Sequence, residues 1–177
     1  RSSSPNKVLS QYLFPAYTQD HALVCLKTSL DRTPRIVLLK NGKETTITNV
    51  GVTSQNFLSL QKDCLAWTEY QRDPRRGNQN YSNIVGYNIR TRQKKTLTQK
   101  GKFFSPQYAH NGKQIIAVEA NENLENRLVI IDAETGEIAK VLPNPENHFL
   151  SFPKWGSNDQ SVIFLAKDLC DLLTIQN

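Results

Sequence analysis

The residues best suited to molecular recognition stand in one polar stretch, positions 71–81, which concentrates arginines, amides and an aromatic ring. Arginine offers a planar fork of N–H donors, and tyrosine offers a large contact area at low entropic cost, so both are favoured at protein interfaces. The candidate partner-binding residues are Arg72, Asp73, Arg75, Arg76 and Tyr81. The alternative is a solvated loop in which Asp73 pairs with a neighbouring arginine.

Patterns typical of catalysis or metal binding are missing from the sequence. It contains no G-x-S-x-G, H-E-x-x-H, Walker or G-x-G-x-x-G pattern. His21, His110 and His148 each fall in or beside a predicted turn, so we expect solvated or packing roles for them. Residues 121–125 supply oxygen ligands without the glycine and spacing of a calcium loop. We therefore expect no catalytic residue, no metal and no cofactor.

The three cysteines, Cys25, Cys64 and Cys170, are far apart and form no C-x-x-C pair. A cysteine-based zinc site is therefore not expected. Free cysteine is among the most frequently buried residue types, so we interpret all three as small buried hydrophobes.

A net charge of +6 permits contact with an acidic partner or surface. The basic residues are nevertheless spread along the chain, with local density only at 72–76 and 90–102, and aromatic residues are not interleaved with them. We therefore expect no nucleic-acid partner. No apolar run approaches the ~20 residues of a membrane span. The polar start without a leader and the absence of methionine favour a processed or excised segment of a larger protein.

A repeat emerges from prolines that precede an aromatic residue by two positions, at Pro15, Pro106 and Pro153. The last two lie 47 residues apart, and the first two lie about twice that distance apart, so a fourth unit is expected near residue 60. The predicted organisation is a single domain, 1–177, with repeats at approximately 12–50, 55–98, 103–142 and 149–177, the last incomplete.

Turn chemistry and β-branched runs indicate that every repeat is built of strands. Asn41-Gly42 and the Gly-closed acidic stretch 132–137 are typical of tight β-hairpins, and helical periodicity is hard to find. A four-stranded unit of about 45 residues is the size of a propeller blade. The predicted fold class is therefore all-β, a propeller of four-stranded antiparallel blades of which about three and a half are present.

Three further details follow from that interpretation. Residues 70–83 form the longest and most polar loop, inside the second repeat, and residues 169–175 form a last turn or a strand. Trp67 and Trp155 wedge between blades as core aromatics, or alternatively line a pocket on the top face.

The third repeat resembles the TolB-like, or PD40, β-propeller blade, whose pattern is roughly P-x-W-S-P-D-G-K-x-I-A-F, then I-y-v-x-D-x-x-T-G-E, then L-T. The matching residues here are Pro106, Tyr108, Asn111-Gly112-Lys113, Ile116-Ala117-Val118, Leu128 to Asp132, Thr135-Gly136-Glu137 and Leu142. Two turns depart from this pattern. Ala109-His110 stands in place of Ser-Pro in the third repeat, and residues 156–159 differ from the turn pattern in the fourth. The loop of the second repeat is similar to that of propellers fused into large envelope proteins of Bacteroidetes-type bacteria.

This resemblance implies a periplasmic or envelope module that docks a protein or peptide partner through one face or its central opening. An alternative is the substrate-gating propeller of a prolyl-oligopeptidase-type serine peptidase whose catalytic domain lies elsewhere, and a third option is carbohydrate binding. A G-x-S-x-G motif after the propeller in the parent chain would favour the peptidase. Because three and a half blades leave an open edge, self-association through that edge is also expected.

Overall fold

A computed structural model describes residues 8–53, 57–77, 79–166 and 169–174. Over these residues the regular secondary structure consists of strands, so the described part of the chain holds no helix that could cross a membrane.

The strands form four sheets. The first sheet contains β1 (Ser10–Tyr17), β2 (Leu23–Ser29), β3 (Arg32–Lys40) and β4 (Lys43–Asn49). The second contains β5 (Ser59–Gln61), β6 (Cys64–Arg72), β7 (Asn80–Asn88) and β8 (Gln93–Thr96). The third contains β9 (Phe103–Tyr108), β10 (Gln114–Ala120), β11 (Asn126–Asp132) and β12 (Ile138–Leu142). The fourth contains β13 (Leu150–Trp155), β14 (Ser161–Ala166) and β15 (Leu169–Thr174).

Each sheet is an antiparallel meander whose strands pair in chain order. Three sheets have four strands, and the fourth has three within the described residues. The structure confirms the predicted all-β class and a partial propeller of about three and a half blades. Because strands alternate in direction, the connections between first and second and between third and fourth strands lie at one end, here called the turn end. The connections between second and third strands and between blades lie at the other, the loop end.

Neighbouring blades pack face to face, because side chains of a strand alternate between its two faces. In β10, Ile116 and Val118 belong to a buried cluster with Phe164 of the fourth blade. Ile115 and Ala117, which point to the other face of the same strand, belong to a second buried cluster with Ile84 of the second blade. A blade in the middle of the chain therefore has a core on each side.

The two tryptophans fill these cores. Trp67 is 1% exposed between the first and second blades, and Trp155 is 8% exposed between the third and fourth. Each indole N–H is bonded, Trp67 Nε1 to Glu69 Oε1 at 2.8 Å and Trp155 Nε1 to the Gln107 carbonyl at 3.0 Å. The packing interpretation is confirmed, and the alternative of a top-face tryptophan pocket is wrong.

The predicted hairpin turns are present. Asn41 and Gly42 have φ of 50° and 75°, the left-handed pair that a two-residue hairpin loop requires, and they join β3 to β4. In the turn 132–137, the Asp132 carboxylate accepts the backbone N–H groups of Glu134 at 2.9 Å and Thr135 at 2.8 Å. Gly136 has φ of 83°, and a Cβ there would overlap the Leu97 carbonyl of the neighbouring blade, so both conformation and space require glycine.

The prolines that revealed the repeat occupy one structural position. Each is preceded by a residue with left-handed φ, namely Phe14, Ser105 and Phe152, at 49–51°. The register of the inner strand shifts at this point in all three blades, which is a β-bulge. Proline is tolerated there because a bulge leaves a residue out of the hydrogen-bond ladder.

Turns at the turn end are bonded from blade to blade. Gln61 Nε2 donates to the His110 carbonyl at 2.6 Å, which joins the second blade to the third. The Asp159 carboxylate accepts the backbone N–H groups of His110 at 2.8 Å and Asn111 at 2.9 Å, which joins the third to the fourth. His110 therefore has a structural contact at a turn.

Other expectations needed adjustment. Half of the predicted loop 70–83 is strand, because β6 and β7 stay in register as far as Arg72 opposite Asn80. The loop is thereby reduced to the segment 73–79, of which the structure describes all but position 78. β15 shows that residues 169–174 form a strand, while position 175 lies outside the described residues.

Cys25 is buried, and Cys64 is partly buried against the core between the second and third blades. The prediction for the Cys170 side chain falls outside what the structure describes.

Candidate functional site

The loop 73–79 is held in shape by the carboxylate of Asp73. Its Oδ1 accepts the backbone N–H groups of Arg75 at 2.8 Å and Arg76 at 3.1 Å, and its Oδ2 accepts the Tyr81 hydroxyl at 3.1 Å. Backbone bonds from Asp73 N to Gln79 O at 3.0 Å and from Gln79 N to Arg76 O at 2.8 Å close the loop. This is a pre-shaped hairpin loop at the loop end of the second blade.

The same contacts set the pKa values of the two groups. The N–H groups of Arg75, with the Tyr81 hydroxyl and the N–H of Arg76, favour the charged carboxylate and lower the pKa of Asp73. Burial of the phenol, together with its bond to Asp73, raises the pKa of Tyr81. The alternative in which Asp73 pairs with a neighbouring arginine is not found among the described residues. Its carboxylate bonds instead to two backbone N–H groups and the Tyr81 hydroxyl.

The arginine side chains are consequently left for other contacts. Arg72, Arg75 and Arg76 are exposed. Among the described residues, Arg76 Nη1 donates to Gln79 Oε1 at 3.4 Å. Arg72 ends β6 opposite Asn80, whereas Arg75 and Arg76 lie within the loop. Replacing either loop arginine would therefore keep the backbone bonds that shape the loop.

A cleft of about 650 Å³ lies between this loop and the equivalent loop of the third blade. Its walls come from three segments, the 73–81 region, the connection 100–102 between the two blades, and residues 119–127. The charged or aromatic lining residues are Arg76, Tyr81, Lys100, Lys102, Glu119, Glu122 and Arg127.

The connection between blades forms a fixed floor for this cleft. Ser82 N donates to the Gly101 carbonyl at 2.8 Å, and Ala120 N donates to the Lys102 carbonyl at 2.9 Å. The Ser82 hydroxyl donates to the Phe103 carbonyl at 2.8 Å. Because the backbone is bonded to a strand of each blade, the positions from which Lys100 and Lys102 project are fixed.

The far wall, loop 121–125, is also internally bonded. Asn121 Oδ1 accepts the N–H groups of Asn123 at 3.0 Å and Glu125 at 2.9 Å, and Asn121 Nδ2 donates to Glu125 Oε2 at 2.6 Å. The oxygens that the sequence offers here hold the loop together. Over the described residues no group of three potential metal ligands comes together.

Two adjoining recesses extend the cleft. One, of about 560 Å³, is lined by Asp73, Pro74 and Arg75 and shares Arg76, Tyr81, Lys100 and Glu122 with it. The other, of about 320 Å³, shares Lys102 and is lined by Tyr70, Asn80, Ser82 and Phe104. We call the three together the loop-end groove.

Four of the five predicted binding residues therefore line one surface. Arg76 and Tyr81 line the main cleft, Asp73 and Arg75 line the adjoining recess, and Arg72 lines neither. Sequence reasoning missed the lysines of the connection and the Glu119–Arg127 pair, joined at 2.7 Å. The repeat period carried a usable signal, because loops 73–79 and 121–125 occupy equivalent positions in consecutive repeats.

No family model matches the chain, and no curated protein matches it. Solved structures do resemble it. A protein from Agrobacterium tumefaciens assigned as TolB has a TM-score of 0.69 at 12% identity, covering 90% of this chain and 60% of that one. An oligogalacturonate lyase from Vibrio parahaemolyticus gives 0.66 at 13%, covering 93% and 48%. The β-propeller domain of the Trilobed protease from Pyrococcus furiosus, described as an open velcro topology, gives 0.62 at 14%, covering 95% and 55%.

The chain thus spans between 48% and 60% of the length of these three structures. Identities of this size show the fold alone. The described residues therefore have the fold of a partial β-propeller.

Proposed function

We propose that this chain is a non-catalytic propeller segment, a single partial domain, that serves as a protein–protein interaction or scaffolding module of a larger bacterial envelope protein. The observation that carries the proposal is the loop-end groove, in which a pre-shaped loop presents Arg75 and Arg76, whose backbone N–H groups and not their side chains bond to Asp73. Arginine next to tyrosine on a rigid, concave surface is the composition that protein interfaces favour. The TolB-like blade pattern supports the periplasmic or envelope setting.

A second candidate is the gating propeller of a prolyl-oligopeptidase-type serine peptidase. The fold likeness to the propeller domain of the Trilobed protease supports it. The two candidates differ in what the parent chain contains. A G-x-S-x-G elbow in a hydrolase domain beyond the propeller favours the peptidase, and its absence favours docking.

The experiment is affinity capture by the immobilised chain from an envelope extract, followed by titration with the purified captured protein. We expect the double variant R75A/R76A to bind that protein at least tenfold more weakly, because it removes side chains without touching the backbone bonds to Asp73. The matched control is R90A/R92A, which removes two exposed arginines at the turn end. Equal binding by wild type and R75A/R76A, with folding intact, would refute this surface as the docking site.

A further inference from the structure

The loop-end groove carries a surplus of positive charge. Arg76, Lys100 and Lys102 line it, and within the described residues none of the three forms an ion pair. Of the acidic lining residues, Glu119 is already neutralised by Arg127 at 2.7 Å. Because Arg75 and Asp73 also line the groove, Asp73 and Glu122 are left to balance four cations. The groove therefore keeps a net positive charge and attracts anionic groups.

This charge is held in place rather than spread over mobile chain. Lys100 and Lys102 flank the backbone that Ser82 and Ala120 bond from two blades, and Arg76 lies on the loop that Asp73 shapes. A ligand therefore meets cations whose backbone is already ordered, which lowers the entropic cost of binding.

The shape of the groove favours an extended ligand over a single small anion. Three recesses share lining residues and so form one continuous surface. The recess beyond Lys102 is bounded by two aromatic residues, Tyr70 and partly buried Phe104. Leu124 stands 79% exposed in the wall of the main cleft, which adds apolar surface beside the charges.

We propose that the loop-end groove binds an extended acidic peptide segment, with carboxylates on Arg76, Lys100 and Lys102 and an apolar side chain against Tyr70 and Phe104. A peptide that carries both carboxylates and apolar side chains matches a groove whose cations lead to a recess bounded by two aromatic rings, which neither free phosphate nor a uniformly acidic saccharide does. This inference rests on the proposed function and names the chemistry of its partner.

The test is titration of the full chain with a fluorescein-labelled octapeptide of alternating glutamate and leucine. We expect saturable binding that weakens as salt rises from low to physiological strength and beyond, because exposed charges are screened. The double variant K100Q/K102Q should raise the dissociation constant at least tenfold. The control K43Q/K113Q removes the same charge from exposed turn-end positions and should leave binding unchanged.

Other outcomes overturn the inference. Equal binding of an octapeptide with glutamine in place of glutamate, or equal loss in both lysine pairs, would show that the groove does not recognise the acidic groups. Tighter binding of oligogalacturonate than of the peptide would assign the groove to an acidic saccharide. If the peptide fails while a captured protein still depends on Arg75 and Arg76, the acidic-peptide chemistry is wrong and the docking function stands. If both fail, both are wrong.

Discussion

The carboxylate of Asp159 joins two blades through three contacts with one turn. It accepts the backbone N–H groups of His110 and Asn111 and lies 2.8 Å from His110 Nδ1. Bonds to a charged acceptor are worth about 1.5–3 kcal/mol. We expect D159N to lower the free energy of unfolding by about 2 kcal/mol, measured by urea denaturation at neutral pH. D31N, at an exposed carboxylate beside Arg32, should change it by less than about 0.5 kcal/mol.

The lowered pKa of Asp159 makes the stability of the protein depend on pH. Burial favours its neutral form, but the bonds from His110 and Asn111 outweigh burial and lower the pKa of Asp159 below its ordinary value of 3.8. A folded-state pKa below the unfolded value means that the stabilisation is fully present above about pH 4 and is lost as pH falls through the folded-state pKa. Denaturation of wild type and D159N between pH 7 and pH 2 should therefore converge at the acid end. A constant difference across that range would contradict the assignment.

At Thr68 we expect a substitution to raise the free energy of unfolding, the opposite of the effect at Asp159. Its side chain is 1% exposed, and within the described residues its Oγ1 has no hydrogen-bond partner. An unsatisfied buried hydroxyl costs about 1–3 kcal/mol, and valine has the same shape without that cost. We expect T68V to raise the free energy of unfolding by about 1 kcal/mol in thermal or urea denaturation.

Thr98 is the matched control for that change. It is also buried, but its Oγ1 accepts the Ile84 N–H at 2.8 Å. T98V removes this acceptor and leaves the Ile84 N–H without it. T98V should therefore destabilise the protein by about 1–2 kcal/mol. If T68V destabilises the protein as T98V does, the interpretation of Thr68 is wrong.

Among the elements, the loop 73–79 depends on one side chain. Replacing Asp73 by alanine removes the acceptor for Arg75 N, Arg76 N and the Tyr81 hydroxyl, while the paired strands β6 and β7 remain. We expect the amide hydrogens of Arg75 and Arg76 to exchange about tenfold faster, with strand amides unaffected. D132A breaks a turn that a carboxylate shapes in the same way at the turn end of the third blade, and it should leave these two amides unchanged.

The elements also show which features the sequence could predict. Asn41-Gly42 and the turn 132–137 were predictable because hairpin geometry depends on local backbone chemistry. The proline anchors revealed the repeat, although the bulge that explains them depends on strand pairing and was not foreseen. The paired extension of β6 and β7 was missed because polar residues at a strand end have no apolar alternation to mark them.

The groove itself lay beyond sequence reasoning for a different reason. Arg76 and Lys100 are brought together with the 119–127 wall only when the second and third blades stack, so the contact is a property of the assembled fold. The composition of residues 71–81 indicated a binding surface. The lysines that complete it, Lys100 and Lys102, belong to the basic stretch 90–102, and nothing in the sequence places that stretch beside this loop.

At the scale of the whole molecule, the first and fourth blades each pack one face on a neighbouring blade and leave the other face without one. The two uncovered faces differ in polarity. On the first blade, Glu44 accepts the Tyr12 hydroxyl at 2.6 Å and Lys27 Nζ at 2.7 Å. Lys27 shares a face of β2 with Cys25, which is buried. On the fourth blade, Ile163 and Leu165 remain 43% and 42% exposed. They stand 47 positions after Ile116 and Val118, which the fourth blade covers. The fourth blade therefore exposes the face that a blade normally buries on its neighbour.

An exposed apolar face on a stacked repeat favours association with another chain. We expect the isolated chain to self-associate in sedimentation velocity at micromolar concentrations and above, and I163K/L165K to weaken this association at least tenfold through charge repulsion and lost burial. I138K/V141K is the control, because Ile138 and Val141 are similarly exposed, at 40% and 44%, but lie on the outer strand of the third blade. Equal effects of the two pairs would place the contact on outer strands instead, and a monomeric wild type would show that this apolar face is tolerated in water.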